Sequence, residues 1–458
     1  GRRGSFTLFF AVNFAVRRLS ASGANSLAGS ARGFSRKEDS QVKHREKMWN
    51  SSFLILWQGQ LVSTAGDAVY SIALGFWVLA ATGSTALMGT LMAASTLPGV
   101  LVSPFAGVLI DRSHKKRLFI LMDILRGACV LLLAAAAWRG RLAVWMVFAA
   151  GVILSLCGAV FQPGILSSVP DLVPREKIAN ANSAFSVVTS GSNLAGSVAG
   201  GFLYQALGAP ALFLFDGLSF LFSGGSLGFV GIPDGRRTEK VSFLEDMRDG
   251  FRYIWRQLGL RLILAAAAVC NFCSFVGITL ILPLCRATPF LGSGGYGVVT
   301  GSFMGGTMLG FILFSVVALK PGMIVPAYVA GCLVSNLGFI AGINQNSLFP
   351  MVVLVALGGF ANSLINVLFM TAVQSSTAQE VRGKVMSFMA MMTQGLTPFA
   401  MALGGMLGEA FPLRAVISAA FAGSLIFLLF TAFSRNCREY MAGDGAAAVP
   451  GAEDKPEP

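Results

Sequence analysis

Twelve apolar runs recur along this chain, each of roughly twenty residues or more and so long enough for a helix to cross a hydrocarbon layer about 30 Å thick. They lie near residues 53–81, 86–110, 117–138, 142–166, 182–206, 210–231, 259–285, 296–319, 323–343, 348–373, 385–408 and 412–434. Within hydrocarbon every backbone N–H and C=O must find a partner in its own segment, so repeated runs of this length specify a bundle of spanning helices. Charged residues make up only 12% of the chain and hydrophobic ones 55%, against roughly 25% charged in soluble domains. The reading is an all-α integral membrane protein of twelve transmembrane helices.

The net charge of +13 sits in short segments between the apolar runs, which suits orientation in a lipid bilayer and not nucleic-acid binding. From Met48 onward, 20 Lys/Arg fall on one side of the expected helices, Arg126 counted among them, and four on the other, Arg139, Arg141, Arg286 and Arg414. The positive-inside rule then makes the richer side, with both termini, cytoplasmic in the plasma membrane. Residues 1–47 hold ten Lys/Arg and no acid before Glu38. They read as a disordered basic extension, either an organelle-type leader or sequence ahead of a true start at Met48.

The longest connection, 233–258, divides the runs into six-helix bundles at 48–232 and 259–434, with a cytoplasmic tail at 435–458. Phe243, Met247, Phe251, Ile254 and Trp255 recur at helical spacing within that connection, as in an amphipathic helix lying at the interface. The halves also repeat. Shifted by 204 residues, Glu176, Ser183, Thr189, Gly191, Gly200, Gly201, Leu203 and Ala206 coincide with Glu380, Ser387, Thr393, Gly395, Gly404, Gly405, Leu407 and Ala410. Both copies enter a span from the same side, a parallel pseudo-repeat that suits a transporter with its site between half-bundles near the midplane.

The first span carries an acid near its centre. Gln60, Ser63, Thr64, Asp67, Tyr70 and Ser71 fall on one helical face, and a carboxylate at that depth costs on the order of 3 kcal/mol, which usually marks a substrate or proton path. Asp67 is therefore the candidate proton-coupling residue. Other polar residues in the spans are candidates for a substrate cavity with Gln60, Thr64 and Tyr70: Gln162, Asn193, Asp216, Asn271, Asn336, Asn362, Asn366 and Gln394. Six methionines between Met386 and Met406 offer flexible walls for varied apolar ligands.

Between the second and third spans stands Gly107-Val-Leu-Ile-Asp111-Arg112-Ser-His-Lys115-Lys116-Arg117. This resembles the cytoplasmic signature of the major facilitator superfamily, with His114 in place of the usual glycine. The resemblance implies the two-bundle fold and a gating role for Gly107, Asp111, Arg112, Lys115 and Lys116. Gly191, Gly196, Gly200 and Gly201 resemble the superfamily's antiporter signature, except that Ser197 stands where proline is expected. Small residues at this spacing, with Gly404 and Gly405 in the repeat, also serve close helix packing. The segments FLILWQGQLVSTAGDAVYSIAL, VPDLVPREKIANANS and QEVRGKVMS are similar to the macrolide-efflux and enterobactin-exporter branch.

The expectation is a monomeric secondary transporter, exporting an amphipathic small molecule (a drug, macrolide or siderophore-like compound) against entering protons by alternating access. A uniporter or importer of a small metabolite on the same fold is the alternative. A non-transporting scaffold fits less well with the polar face around Asp67. No enzyme and no cofactor or metal are expected. The two histidines, His44 and His114, lie outside the spans, Cys270 and Cys273 have no second pair, and no phosphate-binding Gly-x4-Gly-Lys-Ser/Thr loop occurs.

Overall fold

A computed structural model describes residues 48–174, 177–231, 243–316, 321–375, 377 and 379–441. Among these residues the secondary structure is helical throughout. The first bundle contains α1 (Ser51–Thr82), α2 (Thr85–Ala94), α3 (Leu97–Arg112), α4 (Lys115–Trp138), α5 (Val144–Leu172) and α6 (Ile178–Leu227). After α7 (Phe243–Arg256), the second contains α8 (Leu258–Thr279), α9 (Ile281–Ala287), α10 (Gly292–Val316), α11 (Ile324–Ile343), α12 (Leu348–Ser375), α13 (Gln379–Gly395), α14 (Thr397–Ala410) and α15 (Leu413–Phe433). A short α16 (Arg435–Met441) follows.

Ten described stretches are long and apolar enough to cross a bilayer. One of these, Asn180–Leu227, turns back within itself at Gly208, where φ is 71° and ψ 171°, just before Pro210. Only glycine takes that backbone without strain, and the proline following it removes an N–H that a continuing helix would need. With α13 and α14 forming a further crossing, the arrangement fits the twelve helices expected. The chain is a multi-pass membrane protein. Other breaks follow local chemistry: α1 ends at Gly83 (φ 69°), whose N–H reaches Leu79 O at 3.0 Å, and Ser84 then caps α2 by accepting from Leu87 N.

Glycines set the helix spacing inside each bundle. A Cβ at Gly196 or Gly200 of α6 would run into Ala68 or Ile72 of α1, and one at Gly404 of α14 would meet the Val276 backbone of α8. Gly196, Gly200 and Gly404 thus stand where neighbouring helices come close, and in lipid close backbone approach is a principal source of helix association. Gly201 is buried. The aliphatic and aromatic side chains left outside, such as Leu101, Leu132, Ile312 and Ile426, are exposed as a lipid-facing surface requires. The α7 helix forms where the spacing of apolar residues predicted it, with Phe251 stacked on Trp255 and tilted against Phe388 of α13.

Candidate functional site

The polar interior of the first bundle is ionic. Arg126 of α4 donates from Nη2 to both carboxylate oxygens of Asp67 on α1, at 3.0 and 3.2 Å, and from Nη1 to Oδ1 of Asp123 one turn earlier, at 3.4 Å. The guanidinium also lies over the Phe220 ring, 3.9 Å from its centroid, and 5.3 Å from that of Phe161. A planar fork with an aromatic floor holds a cation that has lost its water. Arg126 and Asp123 are 4% and 0% exposed, whereas the side chain of Asp67 keeps 33%.

A third acid completes the group. Asp216 on α6 is wholly buried, and Gly66 packs directly on it, a Cβ there standing 2.5 Å from Oδ1. Its Oδ2 has no partner, and its Oδ1 has only a long contact of 3.4 Å with Ser219, whose single hydroxyl proton is better directed at the Asp216 carbonyl, 2.7 Å away. Two carboxylates thus share one guanidinium, with a third acid buried close by and in contact with neither. Complete ionisation would leave two negative charges in the bundle interior, a cost that proton binding removes.

Sequence reasoning does not single out Asp123 and Arg126, and it counts Arg126 with the cytoplasmic loop charges. Arg126 belongs to the interior, so the charge bias is 19 to 4 and keeps its direction. Of the polar face on α1, Gln60, Ser63 and Tyr70 are buried against neighbouring helices and Ser71 is exposed. Tyr70 lies against Phe213 with an unpartnered hydroxyl. The face is therefore mostly a packing surface, from which Asp67 turns toward α4.

The second bundle encloses a different chemistry. A cavity of about 450 Å³ is lined by Asn271, Asn336, Asn362 and Asn366 with Thr393 and Met389 among others. Asn193 lines a second, more apolar cavity of about 650 Å³, where α6 faces α10 across the two bundles. The remaining candidates are not gathered with them. Gln162 and Gln394 are exposed and line neither cavity, and neither do Thr64, Gln60, Tyr70 or Asp216. An apolar helix surrounded by lipid and protein alike does not disclose which of its faces turns inward, and the candidates are distributed between a charged cluster, these two cavities, which share Ile278 and Phe303 in their walls, and the surface.

The bundles are closed at one end, the end carrying Ser84, Gly208 and Glu409. Thr85 Oγ1 donates to Gly405 O at 2.9 Å, and a Cβ at Gly405 or Gly89 would strike the other bundle's backbone. On the α6–α10 side, Gly297 lies against the Val198 backbone in the same way, and Gly301 against the Val198 side chain. Glu409 of α14 accepts from the Ser84 hydroxyl and from Ala86 N at 2.9 Å, so a carboxylate of one bundle caps the N-terminus of a helix of the other. Those two donors hold its pKa below the ordinary value. The contact is thus present at neutral pH and weakens only as pH falls through that lowered value. In Glu409→Ala, a cysteine at position 85 should react severalfold faster with a maleimide than in the parent, because the closed end opens more often. An unchanged rate would remove Glu409 from the closure.

At the opposite end, the surroundings of Gly107 and the side chains of Asp111 and Arg112 lie outside what is described. Lys115 pairs with Asp171 of α5 at 3.6 Å, and Lys116 donates to Gly228 O at 2.6 Å. Both lysines expected to gate therefore tie α4 to elements of their own bundle.

The sequence profile described as Major Facilitator Superfamily matches residues 56–394. Macrolide efflux protein A of Streptococcus pyogenes is 25% identical over 372 residues, 79% of this chain and 90% of the relative. Multidrug efflux pump Tap of Mycobacterium bovis (strain BCG / Pasteur 1173P2) is 24% identical over 390 residues, 80% and 89% of the two chains. The crystal structure of the nucleoside transporter NupG superposes with a TM-score of 0.66 at 13% identity, covering 83% of this chain and 98% of the other, a likeness of fold. Two helical bundles closed against each other at one end, a buried acid–base cluster and the match over residues 56–394 agree: the chain belongs to the major facilitator superfamily of membrane transporters.

Proposed function

We propose that the protein is a proton-coupled exporter of an amphipathic small molecule, working by alternating access between its two bundles. The observation that carries this reading is the imbalance of three carboxylates against one guanidinium inside the first bundle, with Asp67 alone partly exposed. Such a cluster can take up and release protons without leaving a bare charge in the bilayer. Efflux as the direction rests on the two relatives whose names state it, and the fold points to a transporter and not an enzyme. Asp111 and Arg112 remain the proposed gate at the end opposite Glu409. Purified protein in liposomes should expel a macrolide or an uncharged amphipathic dye when an inward proton gradient is imposed, and a protonophore should stop it. Uphill movement that survives the protonophore would overturn proton coupling.

By the excess of basic residues at the other end, the Glu409 end faces outside, so the conformation described is closed to the exterior and its cytoplasmic side is the one from which substrate enters. Ala209, at the turn between the two arms of α6, is only 4% exposed and makes a poor labelling site for this topology. Cysteines at Arg139 and Asn346, both exposed at that end, should instead label with an impermeant maleimide in intact cells, and one at Gly228 should not. The reverse pattern would invert the topology.

A further inference from the structure

The cavity in the second bundle and the cluster in the first divide the interior chemistry cleanly. No Asp, Glu, Lys, Arg or His lines the 450 Å³ cavity. Its polar groups are amides and hydroxyls contributed by several helices: Asn271 from α8, Asn336 from α11, Asn362 and Asn366 one turn apart on α12, and Thr393 from α13. Accounting for their hydrogen bonds shows what is left for a ligand. Asn366 Nδ2 donates to the Asn362 side chain and to its carbonyl, each at 2.9 Å, and Asn336 Nδ2 donates to Cys332 O at 3.0 Å. That leaves the Asn362 amide N–H groups, the Asn366 and Asn336 carbonyl oxygens and both ends of Asn271 to meet a guest. Donors and acceptors are both available, with no net charge, between walls of Phe303, Phe369, Met370 and Phe421.

Resting on the exporter reading above, we infer that this amide-lined cavity is the recognition site, and that it takes an uncharged, polyhydroxylated head such as a glycoside while the apolar walls hold the attached chain or ring. Amides satisfy hydroxyls, which donate and accept together. A cation or an anion would enter a space that holds no counter-charge, and the ionic cluster that could supply one is in the other bundle. The volume lies within the range of small-molecule pockets, toward its lower end, as suits a sugar-sized head and a short apolar extension. The first bundle then drives and the second selects.

Three probes that share a chain and differ in the head decide it: hexyl β-D-glucoside, hexyltrimethylammonium and hexyl sulfate, bound to the full-length protein in phosphatidylcholine nanodiscs and read by saturation-transfer NMR against empty discs. The glucoside should bind about tenfold more tightly than either charged probe, and Asn271→Leu should weaken it about fivefold, the worth of one hydrogen bond. Asn366→Asp, a variant that gains a property and so does not depend on intact folding of the leucine variant, should turn the preference toward hexyltrimethylammonium. Equal or tighter binding of a charged probe by the parent protein, no binding of any probe, or an unmoved preference in Asn366→Asp would each overturn the assignment. Selective glucoside binding by a protein that moves no solute in vesicles would defeat the exporter reading and leave the site standing; transport without that selectivity would do the reverse.

Discussion

Replacing Arg126 by leucine should abolish most of the folded yield of the protein, a larger loss than any other single substitution in the first bundle. Among the described residues the guanidinium is the only cation paired with Asp67 and Asp123, and it contacts both directly. Removing one partner of a buried ion pair costs about 3–5 kcal/mol, because the desolvated charge that remains has nothing to compensate it. Here two carboxylates would be left, one of them fully buried. Arg126→Lys should fall between, since a single ammonium cannot divide its donors between two acids as the planar fork does, nor stack on Phe220 as closely. The cause can be isolated: adding Asp67→Asn and Asp123→Asn to Arg126→Leu removes the stranded charges and should restore a single symmetric peak and the parental melting temperature in size-exclusion thermostability measurements. A triple variant no more stable than Arg126→Leu alone would show that the loss came from packing against Phe220 and Phe161.

The reason this residue escapes notice in the sequence is itself physical. Asp123 and Arg126 stand three apart in an apolar run, on one face of α4, and their charges cancel. The run still reads as a span, and the arginine, nine residues past Arg117, reads as a straggler of the basic loop. The available signal is an acid and a base at i, i+3 where the hydropathy demands neither. Asp67 is legible because it stands unaccompanied in its span. Its partner is not, because α1 and α4 are brought together by packing on α6, through glycines such as Gly66 and Gly127, whose fit is a property of the assembled bundle. The same limit explains the amides. Asn362 and Asn366 share a face by spacing alone, but that Asn271 and Asn336 join them while Gln162 and Gln394 turn outward depends on helix rotation, which a helix apolar on all sides does not encode. Where the spans fall depends on composition within one segment and is legible, whereas the packing glycines are legible only in part: Gly196, Gly200 and Gly404 stand out by their spacing, and Gly66, Gly89 and Gly127 do not.

Asp67→Asn should leave a folded protein that no longer accumulates a gradient. The amide oxygen can still accept from Arg126 Nη2, and the guanidinium keeps Asp123 as its counter-ion at 3.4 Å, so the bundle loses one charge and little of its geometry. What it loses is the site that is both paired to the interior and one-third open to its surroundings, the position from which a proton can enter from one side and leave toward the other as the bundles rock. The energy available is sufficient, since one elementary charge crossing 100 mV yields about 2.3 kcal/mol, and at 1.36 kcal/mol per decade that sustains a gradient of roughly fiftyfold if one proton enters for each neutral substrate that leaves. In liposomes under an imposed proton-motive force, Asp67→Asn should therefore reach only equal concentrations on both sides, with downhill exchange retained, whereas Asp67→Glu, still titratable but one methylene longer, should sustain a reduced gradient. If Asp67→Asn vesicles still concentrate substrate, the coupling proton does not ride on Asp67. The burden then passes to Asp216, whose unpartnered Oδ2 makes it the next carboxylate able to hold one, and Asp216→Asn should show the loss instead.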